Sequence, residues 1–336
     1  MKKIYIILLL VSTYILADTN VLDLNHSIPT QVEEENNLTQ EANTTIVDSP
    51  ETIALKRRKL NILIGQFNYF SVAVYHVYPY YQRYFGTNPN TYKKTLSGYL
   101  LELFQNVDKS MFERAKNVDI LHNLDEMIDN YYASAINIKK LHNEAYEYYN
   151  MKDYINDKHA KAKQMHKPLL TAYDTFFEAD KVLKSKVEEV QDVLDIQYFK
   201  VLKEQGNQFA YIKGMALHES KVFLRSIRNK KIAEINFNKI KTLLSHIRGY
   251  YDELKVLKTK DEKAYNTQDY HYSFYNALQA YTIAAKDMTF RVKEKRPYGK
   301  YEIQDLSGTG AWMVRSSVGD VSHKYNKLVQ AYNGSR

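Results

Sequence analysis

The run Tyr148–His159, YYNMKDYINDKH, mixes aromatic and charged side chains more densely than any other stretch of the chain. The hydroxyls of Tyr148, Tyr149 and Tyr154, the carboxylates of Asp153 and Asp157, the Lys152 ammonium and the His166 imidazole further on could line a corner that meets a polar or cationic partner. The same residues also support a purely structural reading. Asn150 then ends one helix, Asp153 N-caps the next and Asp157 lies in its first turns, where the helix dipole favours an anion. Lys163, His166 and Lys167 fall at the far end, before Pro168.

Metal and catalytic chemistry find less support. His159 and His166 are seven residues apart, two turns along one helix face, and could share an ion only if other helices supplied ligands. The remaining histidines are scattered, with no HExxH and no His-x-x-x-His pair, so no metal and no cofactor are expected. The sequence contains no G-x-S-x-G, no P-loop and no dinucleotide-binding turn. Gly308-Thr309-Gly310 lacks the preceding strand that would give it meaning. An enzyme would have to assemble its site from scattered residues; it would then show a cleft where titratable groups converge, whereas a binding protein would present a contiguous basic and aromatic surface.

Thirty tyrosines and a basic balance bear on that surface. Tyr75, Tyr78, Tyr80, Tyr81 and Tyr84, and the pairs Tyr131-Tyr132 and Tyr250-Tyr251, either stack on a ligand among lysines and arginines or fill helix seams with the hydroxyl at the rim. A basic surface attracts polyanions, which points to anionic envelope polymers or lipid headgroups. Nucleic acid is not expected, because the N-terminus reads as an export signal.

That signal is residues 1–17: Lys2 and Lys3 precede the apolar run Ile4–Leu16, with cleavage expected after Ala17. The mature protein would be periplasmic; an uncleaved signal would anchor it in the inner membrane instead. Residues 18–55 carry eight acids and no Lys or Arg, and their few aliphatic residues have no regular period, so a disordered acidic tail is predicted. Charge reverses at Lys56-Arg57-Arg58-Lys59. Setting aside the two signal lysines and the eight tail acids leaves 45 Lys and Arg against 31 Asp and Glu in residues 56–336, a body of net +14. Asn25, Asn37 and Asn43 each stand in an N-x-Ser/Thr sequon with an acid two residues before, the acceptor form of bacterial oligosaccharyltransferases. The chain has no cysteine, so neither a disulfide nor an acylated thiol is available.

The body must be built of long helices, since only Pro79, Pro89, Pro168 and Pro297 interrupt it and no glycine occurs between Gly98 and Gly206. Phe176, Ala179, Leu183, Val187, Val190, Leu194, Tyr198 and Val201 step by three or four, which predicts one helix over 171–203 with a continuous buried seam and coiled-coil-like packing. Similar spacing predicts helices within 92–117, 118–150, 234–258 and 267–294. A first helix is expected over 52–84, bent or broken near Pro79. Alternation at Tyr301–Ile303 is the one strand-like signal.

The motif Glu147-Tyr148-Tyr149, Lys152-Asp153-Tyr154, Asp157, Lys161-Ala162-Lys163 and His166, together with Lys59-Leu60-Asn61, Phe67-Asn68 and the ending Lys324–Asn333, resembles the uncharacterised YiiG-like family of bacterial envelope lipoproteins. The resemblance spans roughly residues 55–336 and implies a helical envelope domain without an assigned activity. The resulting expectation is an all-α, elongated bundle of long antiparallel helices. It would act as a non-catalytic binding or structural element of the envelope.

Overall fold

A computed structural model of the chain describes residues 48–94, 100–260, 269–306 and 310–334. The segment read as an export signal, the predicted tail up to Ile46-Val47 and the three sequons lie outside the described residues. Among those described, all regular structure is helical and no helix is long and apolar enough to cross a membrane. The fold divides into two units, Ile46–Leu194 and a second that includes Asp195–Arg336, each with its own core.

The first unit opens with α1, Pro50–Gln66. Ser49 caps it by accepting the Thr52 N–H at 3.2 Å, Pro50 occupies its first turn and Glu51 complements the dipole there. These signals start the helix ahead of the charge reversal at Lys56, so residues 50–55 belong to the body and not to the tail. A π-turn, Phe67–Ser71, separates α1 from α2, Val72–Phe85. The interruption expected at Pro79 therefore falls earlier, and Pro79 is absorbed inside α2. The extra residue of a π-turn rotates the helix on its C-terminal side, and it leaves Phe67, Phe70 and Ser71 all buried. Gly86, at φ 92°, ends α2 in a conformation that costs glycine nothing.

Residues 100–108 are not helical, although Leu100, Leu103 and Val107 have helical spacing; among the described residues of the predicted 92–117 segment only α3, Lys109–Lys116, is a helix. The reason lies on α4, Asp125–Asn150, where Lys139, His142 and Asn143 share one face. Asn143 accepts from the Leu103 N–H and donates to its carbonyl, both at 3.1 Å. His142 Nε2 donates to the Leu101 carbonyl at 2.6 Å, and the Lys139 ammonium donates to the Gln105 carbonyl at 2.8 Å. These side chains replace the backbone partners a helix would have supplied. Leu100 and Leu103 of the resulting strap are buried.

α5 runs from Ala160 to Glu204, continuing through Pro168 and passing from the first unit into the second. Its predicted seam is buried at Phe176, Leu183, Val187 and Leu194. The second unit adds α6 (Gln208–Ile227), α7 (Phe237–Lys260), α8 (Asp269–Lys293), α9 (Lys300–Leu306) and α10 (Val318–Gly334). α9 covers the alternation at Tyr301–Ile303, which is thus helical. Gly214 of α6 lies under the Phe199 ring, where an added Cβ would come within 2.3 Å of a ring carbon. That close approach requires glycine at this position.

Candidate functional site

The residues that the sequence singles out converge where α2 ends, α4 ends and α5 begins. α4 stops at Asn150. A tight turn then runs through a single 3-10 turn, Asp153–Ile155, to α5. Lys152, Lys158 and His159 adopt left-handed backbone conformations at φ 59°, 53° and 66°. Each costs on the order of 1 kcal/mol or more for a non-glycine residue, so the surroundings must hold the turn.

Tyrosine and histidine side chains do this. Tyr148 donates to Asp157 Oδ1 at 2.8 Å, and Asp157 Oδ2 accepts the Lys161 N–H at 2.9 Å. The Tyr149 and Tyr92 hydroxyls meet at 2.8 Å, and Tyr92 reaches His159 Nδ1 at 3.3 Å. His166 lies between the Tyr81 hydroxyl, 2.7 Å from Nδ1, and the Asn88 carbonyl, 2.9 Å from Nε2, so it fastens the loop after α2 to α5. Rings fill the space between these bonds. Phe85 stacks on Tyr149 at 4.2 Å, Tyr154 stacks on His159 at 5.1 Å, and Tyr92 contacts both His159 and His166.

Burial sets the electrostatics of this corner. Desolvation raises the pKa of Tyr148 and Tyr149, and the Asp157 charge and the Tyr92 hydroxyl respectively add to it. Desolvation lowers the His159 pKa, with Lys94 and Lys163 pushing the same way and Asp157 opposing. Desolvation would raise the Asp157 pKa, but the Lys161 N–H, the Tyr148 hydroxyl and the N–H groups of His159 and Ala160 together hold it below the usual carboxylate range. The Tyr148 and Tyr149 hydroxyls are therefore protonated and the Asp157 carboxylate is charged at neutral pH.

Of the residues singled out by sequence, Tyr148, Tyr149, Tyr154, Asp157 and His166 enter this arrangement. Lys152 and Asp153 are exposed, and neither side chain has a partner among the described residues. The role assigned to Asp153 belongs to Asp157: the 3-10 turn displaces the start of α5 along the chain, so the carboxylate positioned to cap it is the later one. His159 lies ahead of α5 and not two turns from His166 along its face.

The profile of a family described as a protein of unknown function, DUF3829, matches residues 54–334. The chain belongs to this family. A member of similar sequence is the uncharacterized protein YiiG of Escherichia coli (strain K12), 25% identical over 219 residues, a match covering 64% of this chain and 59% of YiiG. This chain thus spans less than two thirds of that relative's length. No solved structure matches it.

In this DUF3829 member the corner also draws on residues that the sequence does not mark as part of it, namely Tyr81, which reads only as one of a run of tyrosines, and Phe85, Asn88, Tyr92 and Lys94. Asn88, Tyr92 and Lys94 follow the glycine that ends α2, the one hint that this loop folds back onto Tyr81 and Phe85 of the helix. Among the described residues no three His, Asp or Glu side chains converge as a metal cage would. The second unit has a shallow groove of about 450 Å3 lined by Ser273, Ala277, Lys327, Gln330, Ala331 and Gly334, with one charged side chain.

Proposed function

We propose that this DUF3829 protein is exported to the bacterial envelope and works there as a non-catalytic binding element. The corner between α2, α4 and α5 is its recognition surface, and an anionic envelope polymer is its ligand. The lysine-led apolar run at residues 1–17 and the small residue closing it support export. The expected result for protein isolated from its native host is an intact mass equal to residues 18–336, raised by regular increments if Asn25, Asn37 and Asn43 carry glycans. A mass including the first 17 residues would replace the periplasmic reading with a membrane-anchored one.

One observation carries the binding reading: the Lys94 and Lys163 ammonium groups both act on the His159 ring, at the edge of a corner whose other rings are fixed by hydrogen bonds. Exposed cations at the rim of this rigid aromatic floor suit an anionic polymer, whose carboxylates or phosphates pair with ammonium groups while its sugars reach the half-buried Tyr92 and Tyr154. The body's net charge of +14 adds long-range attraction. Because the floor is locked before binding, little ordering cost falls on the complex.

The test is binding of the full chain to polygalacturonate in about 0.1 M salt, with phosphatidylglycerol vesicles in parallel. Lys94→Glu with Lys163→Glu is expected to weaken polymer binding more than tenfold. Lys241→Glu with Lys255→Glu, exposed positions on α7 that change net charge equally, should weaken it no more than about threefold. Equal losses in the two double variants would refute the corner and leave only diffuse charge. Binding to vesicles alone would move the ligand to lipid headgroups.

A further inference from the structure

We propose that His142 is an acid-sensitive latch: when its ring takes up a second proton, the strap 100–108 is released from α4. This goes beyond the reading of the corner and does not depend on the corner's ligand.

The His142 side chain is fully buried, with both ring nitrogens used. Nε2 faces the Leu101 carbonyl of the strap, which can only accept, so Nε2 carries the proton of the neutral ring. Nδ1 then accepts from the Tyr173 hydroxyl of α5. Adding a proton at Nδ1 forces Tyr173 to turn its O–H away. Tyr173 is itself fully buried, and its hydroxyl has no other acceptor among the described residues.

No charge compensates the new cation. Behind Tyr173 stand Tyr78 and Tyr81 of α2, neutral hydroxyls. From α4 the nearest charged side chain on the same face is Lys139, itself a cation, committed to the strap at Gln105 and Asn106. From the strap comes only the Leu101 carbonyl. No carboxylate acts on the ring from any of these elements. A charged imidazole sealed in such a place gains most by reaching water, and the strap is the cover that its own Nε2 bonds directly, through Leu101. The strap is held by three side chains of one α4 face and by the buried Leu100 and Leu103, not by a helix or sheet ladder, so its release breaks no secondary structure.

Burial fixes the sign. Desolvation lowers the His142 pKa from its ordinary 6.5 to about 4, with the Leu101 carbonyl pulling weakly the other way. The neutral ring thus stabilises the closed strap fully above pH 6.5, and this contribution fades as pH falls from there towards about 4.

The experiment is amide hydrogen exchange on the full chain between pH 7 and pH 4, corrected for intrinsic rates, with α7 peptides as internal reference. Protection of residues 100–108 is expected to fall roughly a hundredfold across that range while α7 stays constant. His142→Gln, whose amide can keep both hydrogen bonds but cannot titrate, should make strap protection independent of pH. Should His142→Gln not fold, Asn143→Ala serves instead: it loosens the strap but keeps the histidine, so release should begin at a higher pH. A strap whose protection is flat in the wild type, an unchanged pH dependence in His142→Gln, or an unshifted midpoint in Asn143→Ala would each overturn the proposal.

Discussion

Leu183→Asp is expected to cost about 4 kcal/mol or more and to unfold the core of the first unit. Leu183 is 0% exposed, in the same α5 seam as Phe176, Val187 and Leu194. Removing a buried leucine side chain alone costs roughly 2–5 kcal/mol, and a carboxylate left without a cation adds its own desolvation. That sum consumes a large share of the roughly 5–15 kcal/mol that stabilises an ordinary domain. The adjacent Val182 is 42% exposed, so Val182→Asp should change stability by no more than about 0.5 kcal/mol. Urea unfolding of both variants checks the contrast. A loss below about 1 kcal/mol for Leu183→Asp would remove that residue from the core.

The seam is legible in the sequence because period and burial coincide over many turns, and no other partner competes for the backbone of that stretch. The strap is not, because its apolar spacing is equally that of a helix. What decides its conformation is the face of α4 bearing Lys139, His142 and Asn143, more than thirty residues away, which bonds its carbonyls and N–H groups one by one. Local periodicity carries no information about a partner that distant. The 3-10 turn at Asp153–Ile155 has the same lesson at smaller scale. An Asp-led segment reads as a helix start, and only the compactness of the turn transfers the cap to Asp157.

Half of the corner is visible in sequence for a related reason. Tyr148, Tyr149, Tyr154 and Asp157 lie within ten residues, so their density marks them. Tyr81 and Tyr92 are isolated from that cluster in sequence and join it only through folding, Tyr81 by pairing with His166 and Tyr92 by bridging Tyr149 and His159. The bland account of the tyrosines, seam fillers with the hydroxyl at a wet rim, fits only some of them. Tyr81, Tyr131, Tyr173 and Tyr281 are fully buried, and each hydroxyl is hydrogen-bonded inside the protein. They behave as polar pins that fix which residues face each other.

The most demanding of these pins surrounds Asp180, and Asp180→Ala is expected to cost about 3 kcal/mol. Its side chain is 1% exposed. Oδ1 accepts from Ser71 at 2.5 Å, while Oδ2 accepts from Tyr75 at 3.1 Å and from the Lys184 ammonium at 2.8 Å. Ser71 in turn meets the Tyr131 hydroxyl at 2.8 Å. Burial, and then the Asp180 charge, raise the Tyr131 pKa well above its ordinary value, so this tyrosine stays a neutral donor. Ser71 points inward because the π-turn at Phe67–Ser71 rotates it there, which makes the carboxylate the reason such a turn can persist between α1 and α2. Truncation to alanine leaves the sealed Ser71 hydroxyl short of its acceptor. Lys184, partly exposed, recovers water and keeps the cost at the lower end for a broken buried pair. Replacing the sealed polar groups together should relieve part of the loss, because neither buried hydroxyl is then stranded: Ser71→Ala and Tyr131→Phe combined with Asp180→Leu is expected to be at least about 1 kcal/mol more stable than Asp180→Leu alone. A triple variant no better than the single one in urea unfolding would show that Ser71 and Tyr131 do not depend on Asp180. The π-turn would then have to be held by the packing of Phe67 and Phe70 against Tyr131 and Phe176 alone.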